Sequence, residues 1–247
     1  MLVKRITAVL LSLAAAGPAV AADITVSAAA SLSNAFREAA AAYEAGRPGD
    51  KVRLNFGASD ALVAQISKGA PVDVFASADQ EAMDKAEPFL AQGTRRDFAS
   101  NRLVVAVPAS STLQFRTLAD LGQAGVKRLT TGNPASVPAG RYAKAALEKA
   151  GQWPALQAKF VFASNVRQAL DYVARGEAEA GFVYQTDVAA QVDKVRSVLA
   201  VPTATPITYP VAVMKDAPNA AGARAFAEFI MSAGGQAILA RHGFGKP

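Results

Sequence analysis

The chain has 247 residues, a formal charge of +6, no cysteine and one histidine. Disulfide staples and thiolate metal sites are therefore excluded, most zinc and copper centres lack ligands, and His242 is the sole candidate for a histidine-based triad. No block of basic residues interleaves with aromatics, Arg95-Arg96 being an isolated pair, which argues against a nucleic-acid surface and for ordinary solvated charge.

At the N-terminus, Lys4 and Arg5 lead into an apolar stretch from Ile6 to Ala16 that is followed by Ala19-Val20-Ala21. Residues 1–22 read as a secretory signal peptide, too short in its apolar part for a comfortable bilayer span. Its removal takes Lys4 and Arg5 with it and lowers the charge from +6 to +4. Roughly 225 residues then remain, enough for one large domain or two lobes.

Apolar β-branched runs then alternate with alanine-rich helical patterns. The spacing predicts strands over 24–27, 52–56 and 72–76, and helices over 33–45, 60–68 and 80–86. After a strongly apolar strand at 102–108 the same grammar resumes, with strands at 129–131, 160–163 and 180–184 and helices over 141–150 and 166–175. Strands at 197–201 and 208–214 and two helices within 221–241 complete the chain. Such alternation predicts βα units, an α/β fold and mostly parallel sheets. The strand at 102–108 and the Pro/Thr-rich segment at 201–206 read as two crossings between lobes, which makes a hinge that two halves can close around a ligand.

In open α/β sheets, ligands sit beyond the carboxyl ends of the strands, where helix starts present unpaired N–H groups and partial positive charge to an anion. The joints are therefore the informative places. "AAASLSNAF" offers the N–H and hydroxyl of Ser31, and "NFGASDAL" repeats that arrangement at Ser59. In "VPAGRYAKAAL" Pro138 has no N–H, so Ala139 presents the first usable donor. In "ASNVRQAL" Asn165 reads as a cap with Gln168 three positions on, exposing the Val166 N–H. Tyr184 ends the strand of "GFVYQTD", from which a phenol can point into the same space. Taken singly, each serine or asparagine reads first as a helix cap contributing about 0.5–2 kcal/mol, and Tyr184 as half-buried packing. Ser77 in "FASADQ" has no better claim than a cap.

Together with "GASDALVAQISKGAPVDVFASADQEAMDKA" and "YPVAVM", these stretches occur in an order that closely resembles the periplasmic molybdate-binding proteins of ABC importers, over essentially the whole mature chain. The resemblance implies a two-lobed type II periplasmic-binding-protein fold, each lobe a mostly parallel sheet flanked by helices, with the ligand cleft between them. It places lobe I at residues 23–104 and 206–247 and lobe II at 105–205. It implies a tetrahedral oxyanion, molybdate or tungstate, held by neutral donors: the N–H and hydroxyl of Ser31 and Ser59, the N–H groups of Ala139 and Val166, and the hydroxyl of Tyr184. None of these would ligate the metal directly. It further implies a periplasmic monomer with no cofactor, whose partners are a membrane permease and its ATP-hydrolysing subunit.

Asp60 is the clearest departure, since related sequences often carry a small hydroxyl residue directly after the binding serine. A carboxylate there would repel a dianion unless its side chain turns outward. Arg141 and Arg167 read as solvated helix-surface charges, with longer-range attraction to the anion as the alternative. Two rival functions compete with binding of molybdate. An enzyme finds little support: Gly57-Ala58-Ser59-Asp60-Ala61 lacks the final glycine of a nucleophile elbow, and Asp73, Asp79 and Asp84 fall in polar helix and turn faces. Amino-acid receptors of this fold use charged groups where the joints here put neutral donors, whereas sulfate or phosphate remains a chemically open ligand.

Overall fold

The computed structural model describes residues 23–247; the expected signal peptide lies outside the described residues. In chain order the first sheet begins with β1 (Asp23–Ala29), α1 (Ser33–Ala45), β2 (Lys51–Gly57), α2 (Ser59–Ser67), β3 (Val74–Ala76), α3 (Gln80–Ala86) and β4 (Arg96–Asn101). The second sheet follows with β5 (Leu103–Pro108), β6 (Leu129–Gly132), α4 (Pro138–Lys149), α5 (Trp153–Leu156), β7 (Phe160–Ala163), α6 (Val166–Ala174), β8 (Ala180–Tyr184), α7 (Gln185–Ala189) and β9 (Val195–Val201). The chain then returns to the first sheet through β10 (Ile207–Val213) and ends in α8 (Ala220–Met231) and α9 (Ala233–Arg241).

The strand orders are β2-β1-β3-β10-β4 and β7-β6-β8-β5-β9. These are one pattern used twice. In each sheet three parallel strands are followed by an antiparallel strand that comes straight from a crossing, β10 or β5, and then by an antiparallel edge. The sheets are thus mixed, with four strands of each running one way and one, β10 or β5, running against them. A strand entering from the other lobe arrives at the carboxyl ends of its neighbours and can only run back against them. The crossings fall at Arg102, between β4 and β5, and within 202–206. β5 lies wholly in the second sheet, so the first change of lobe comes two residues before the expected boundary after residue 104.

Helix α1 buries Ala35, Phe36, Ala39, Ala40 and Tyr43 along one face. Phe36 meets Phe98 of β4 at 5.8 Å between ring centroids and Phe226 of α8 edge-on at 6.2 Å. Each such aromatic contributes about 1.5–3 kcal/mol by leaving water. In the second lobe Leu147, Leu170 and Val173 cover Phe182 and Val105 as the corresponding core. At the seam between lobes, the rings of Tyr184 and Tyr209 meet edge to face at 5.9 Å.

Strand β4, with the sequence RDFASN, escapes prediction because its alternation is short and polar at both ends. It exists through pairing with β10, across an irregularity at Tyr209/Pro210 that absorbs the proline.

Candidate functional site

Every parallel strand runs its carboxyl end toward the seam, and the next helix begins there. The start of α1 is preceded by a tight turn over Ala30–Leu32, so Ser31 sits inside that turn and Ser33 opens the helix proper. Ser59 is the first residue of α2, Ala139 follows Pro138 at the start of α4, and Val166 is the first residue of α6. Tyr184 is the last residue of β8. All five residues line one narrow cleft, together with Ala29, Ala30, Gly57, Ala58, Ala78, Val137, Pro138 and Asn165. The lining holds no charged side chain. A larger groove on the outer surface, along Arg96, Arg224 and Met231, holds none of the five.

The caps differ between this cleft and the longer helices outside it. Three helix starts away from the cleft are satisfied by side chains: Asp79 accepts from Ala82 N on α3, Asn219 from Gly222 N on α8 and Ser232 from Gly235 N on α9. At the cleft the cap positions of the Ala30–Leu32 turn, α2 and α4 are Ala29, Ala58 and Val137, none of which makes a side-chain cap bond. Asn165 does cap α6, but it accepts from the N–H groups of Arg167 and Gln168 and leaves that of Val166 outside its reach. The Gln168 side chain reaches back to Ser164 N at 2.6 Å rather than to the cap residue itself. Four helix starts thus present backbone donors and partial positive charge to one small space.

The hydroxyls are oriented by their neighbours. The Ala78 N–H donates to Ser59 Oγ at 3.1 Å, which occupies an acceptor site on that oxygen and leaves its proton for the cleft. Ser31 Oγ lies 3.0 Å from the Tyr209 hydroxyl, which lies 3.2 Å from Asn101 Nδ2. The Asn101 amide nitrogen can only donate, so Tyr209 accepts from it, which leaves the Tyr209 proton available to Ser31 Oγ and the Ser31 proton available to the cleft. Tyr209 and Asn101 were missed by sequence reasoning. The stretch "YPVAVM" contains Tyr209, but nothing local marks a strand tyrosine as the partner of a serine 178 residues away.

Tyr184 is 1% exposed, and its phenolic oxygen has no hydrogen-bond partner among the described residues. Burial pushes its ionisation well above the ordinary phenol range, with the negative groups nearby adding to the effect, so it stays a donor. A buried hydroxyl without a partner costs about 1–3 kcal/mol, and Tyr184 lines the cleft.

Two sequence expectations are overturned. Arg141 and Arg167 are not solvated surface charges, their side chains being 15% and 20% exposed. Arg141 pairs with Asp60 and Asp79, and Arg167 with the fully buried Asp187. Nor do Asp73 and Asp79 lie on polar faces. Asp73 is buried and accepts from the backbone N–H groups of Thr25 and Asn219, while Asp79 caps α3. Their types suggested solvent, and tertiary pairing removed them from it. His242 engages Glu38 at 2.7 Å and is absent from the cleft lining.

The profile of bacterial extracellular solute-binding proteins matches residues 24–245. The chain belongs to this family. Among its relatives it is 39% identical to the molybdate-binding protein ModA of Escherichia coli over 245 residues, covering 95% of this chain and 94% of that one. It is 33% identical to the putative ABC transporter substrate-binding lipoprotein YvgL of Bacillus subtilis, over 90% and 85% of the two chains. Its structure matches the periplasmic molybdate-binding protein of Azotobacter vinelandii with a TM-score of 0.81 at 26% identity, over 91% of this chain and 99% of that one. The sulfate-binding protein SubI of Mycobacterium tuberculosis shares the fold, with a TM-score of 0.78 at 20% identity.

Proposed function

We propose that this protein captures molybdate in the cleft, and tungstate by the same geometry, and delivers it in the periplasm to an ABC importer composed of a permease and an ATP-hydrolysing subunit. The observation that carries the reading is the convergence of Ser31, Ser59, Ala139, Val166 and Tyr184 on one uncharged lining, with the Tyr184 hydroxyl buried and unpartnered. The ModA relatives, named for molybdate, support the choice of ligand.

Burying an unpaired dianion is prohibitive, so the donors must replace its water. Each hydrogen bond to a charged group contributes about 1.5–3 kcal/mol. The costs of ordering and closure leave a net of about −8 to −11 kcal/mol, a micromolar to ten-nanomolar constant. With neutral donors at fixed points, size and tetrahedral shape set selectivity, and the smaller sulfate leaves contacts unmade. The protein acts as a carrier and turns over no substrate.

Titration calorimetry of residues 23–247 with molybdate, tungstate and sulfate tests this. Tight, similar binding of the first two with much weaker sulfate is expected. Tight sulfate binding without molybdate binding would overturn it, and would favour the other oxyanion reading.

A further inference from the structure

Two helix starts of lobe II that face the cleft each carry an arginine directly behind the inward-facing backbone: Arg141 two residues after Ala139, and Arg167 next to Val166. Both side chains leave their own lobe. The Arg141 guanidinium donates to Asp60 Oδ2 at 2.7 Å and to Asp79 Oδ2 at 2.6 Å, and its Nε lies 3.4 Å from Glu81 Oε2. Arg167 donates to the Ser31 carbonyl at 3.0 Å and to Asn34 Oδ1 at 2.9 Å, while its Nε rests 2.7 Å from Asp187 of its own lobe. Asp60, Asp79, Glu81, Ser31 and Asn34 all belong to lobe I. Each arginine therefore grips the opposite lobe beside the serine that faces its own helix start, Asp60 following Ser59 and Asn34 lying three residues past Ser31.

We propose that Arg141 and Arg167 are interlobe clasps that hold the cleft closed, so that retention of the bound oxyanion is set by these arginines as well as by the donors that touch it. This rests on the reading of the cleft as an oxyanion site. Arg141 is the less exposed of the two arginines, at 15% against 20%. Asp79 is 4% exposed as a residue, and burial pushes its carboxyl up against the opposing charge of Arg141. Pairs of this kind return a large part of their Coulomb attraction as desolvation. A clasp so built biases closure without locking it, as a protein that must release its cargo requires. The cluster also accounts for Asp60, whose charge is met by Arg141 and by Lys85, each at 2.7 Å, rather than turned on the ligand.

Asp60→Ala separates this role from simple electrostatics, because it removes a negative charge from beside an anion site. If Arg141 serves only as a surface charge or a distant attractor, Asp60→Ala binds molybdate as well as wild type or more tightly, and releases it no faster; either result overturns the clasp. The clasp predicts the opposite: radiolabelled molybdate chased with excess unlabelled molybdate leaves Asp60→Ala roughly 5- to 20-fold faster, and Asn34→Ala roughly 2- to 5-fold faster, with small changes in the association rate. Release from Asp60→Ala/Arg141→Gln should be no faster than from Arg141→Gln alone, since both changes break one contact; additive effects overturn the pairing. If wild type itself fails to bind molybdate, the functional reading falls and small-angle scattering of the ligand-free proteins judges the clasp. A larger radius of gyration for Asp60→Ala than for wild type supports it, and identical values overturn it.

Discussion

Tyr184 brings its hydroxyl into the cleft from the end of β8, held by a ring packed edge-on against Tyr209. Removing that hydroxyl in Tyr184→Phe should weaken molybdate binding by about 1.5–3 kcal/mol, the worth of one hydrogen bond to a charged group, as read by calorimetry. Ser59→Ala should lose a similar amount. It should also lower thermal stability, because Ala78 N–H loses its acceptor at Ser59 Oγ. Val166→Ala should leave affinity nearly unchanged, since only its backbone faces the ligand, while the loss of two methyl groups from a buried position lowers stability. The phenol also sets a pH expectation. Burial raises the Tyr184 ionisation above its free value of 10.0, so the donor form persists as pH climbs through the range where free phenols ionise. Affinity measured from neutrality up to about pH 10 should therefore show no loss from this group. What alkali erodes is stability, because the unfolded chain gives up a proton there that the folded state keeps.

At the scale of elements, the decisive feature is where each helix starts. Asn165 holds the first turn of α6 by accepting from Arg167 N and Gln168 N. Asn165→Ala should cost about 0.5–2 kcal/mol of folding stability in denaturant titrations and loosen the presentation of Val166. Helix α4 is placed by close approach instead of by a cap. A Cβ at Gly140 would lie 2.0 Å from the Gly132 carbonyl oxygen at the end of β6. Gly140→Ala should therefore push α4 off the sheet, with a loss of about 1–3 kcal/mol seen by thermal denaturation. Molybdate affinity should fall with it, since Ala139 is the adjacent residue.

For the whole molecule, two sheets of the same strand order, joined at Arg102 and at 202–206, bring donors from both lobes onto one space. Neither lobe alone makes the site: Ser31 and Ser59 come from the first, Ala139, Val166 and Tyr184 from the second. A ligand that bridges them binds only the folded, closed form. Saturating molybdate should raise stability by about 2.7 kcal/mol at a hundredfold excess over the dissociation constant. Thermal shift assays should show that rise with molybdate and little of it with equal sulfate.

The sequence alone determined the alternation of strand and helix and the positions of the helix starts, because hydrophobic period and capping residues act within a few positions of one another. Helices α1 and α3 occur at the residues expected from those local signals; the signals marked the strand-to-helix joints, and the family resemblance picked out Ser31, Ser59, Ala139, Val166 and Tyr184 there, which the structure gathers around one cleft. The tertiary structure alone decided what lies across the lobes. The antiparallel insertion of β5 and β10, the orientation of the Ser31 hydroxyl through Tyr209 and Asn101, and the burial of Arg141 and Arg167 all join residues far apart in sequence. A charged or aromatic side chain carries no local mark of its partner: Arg141 beside a helix start looks like any exposed arginine until Asp60 and Asp79 arrive from the other lobe to remove it from water.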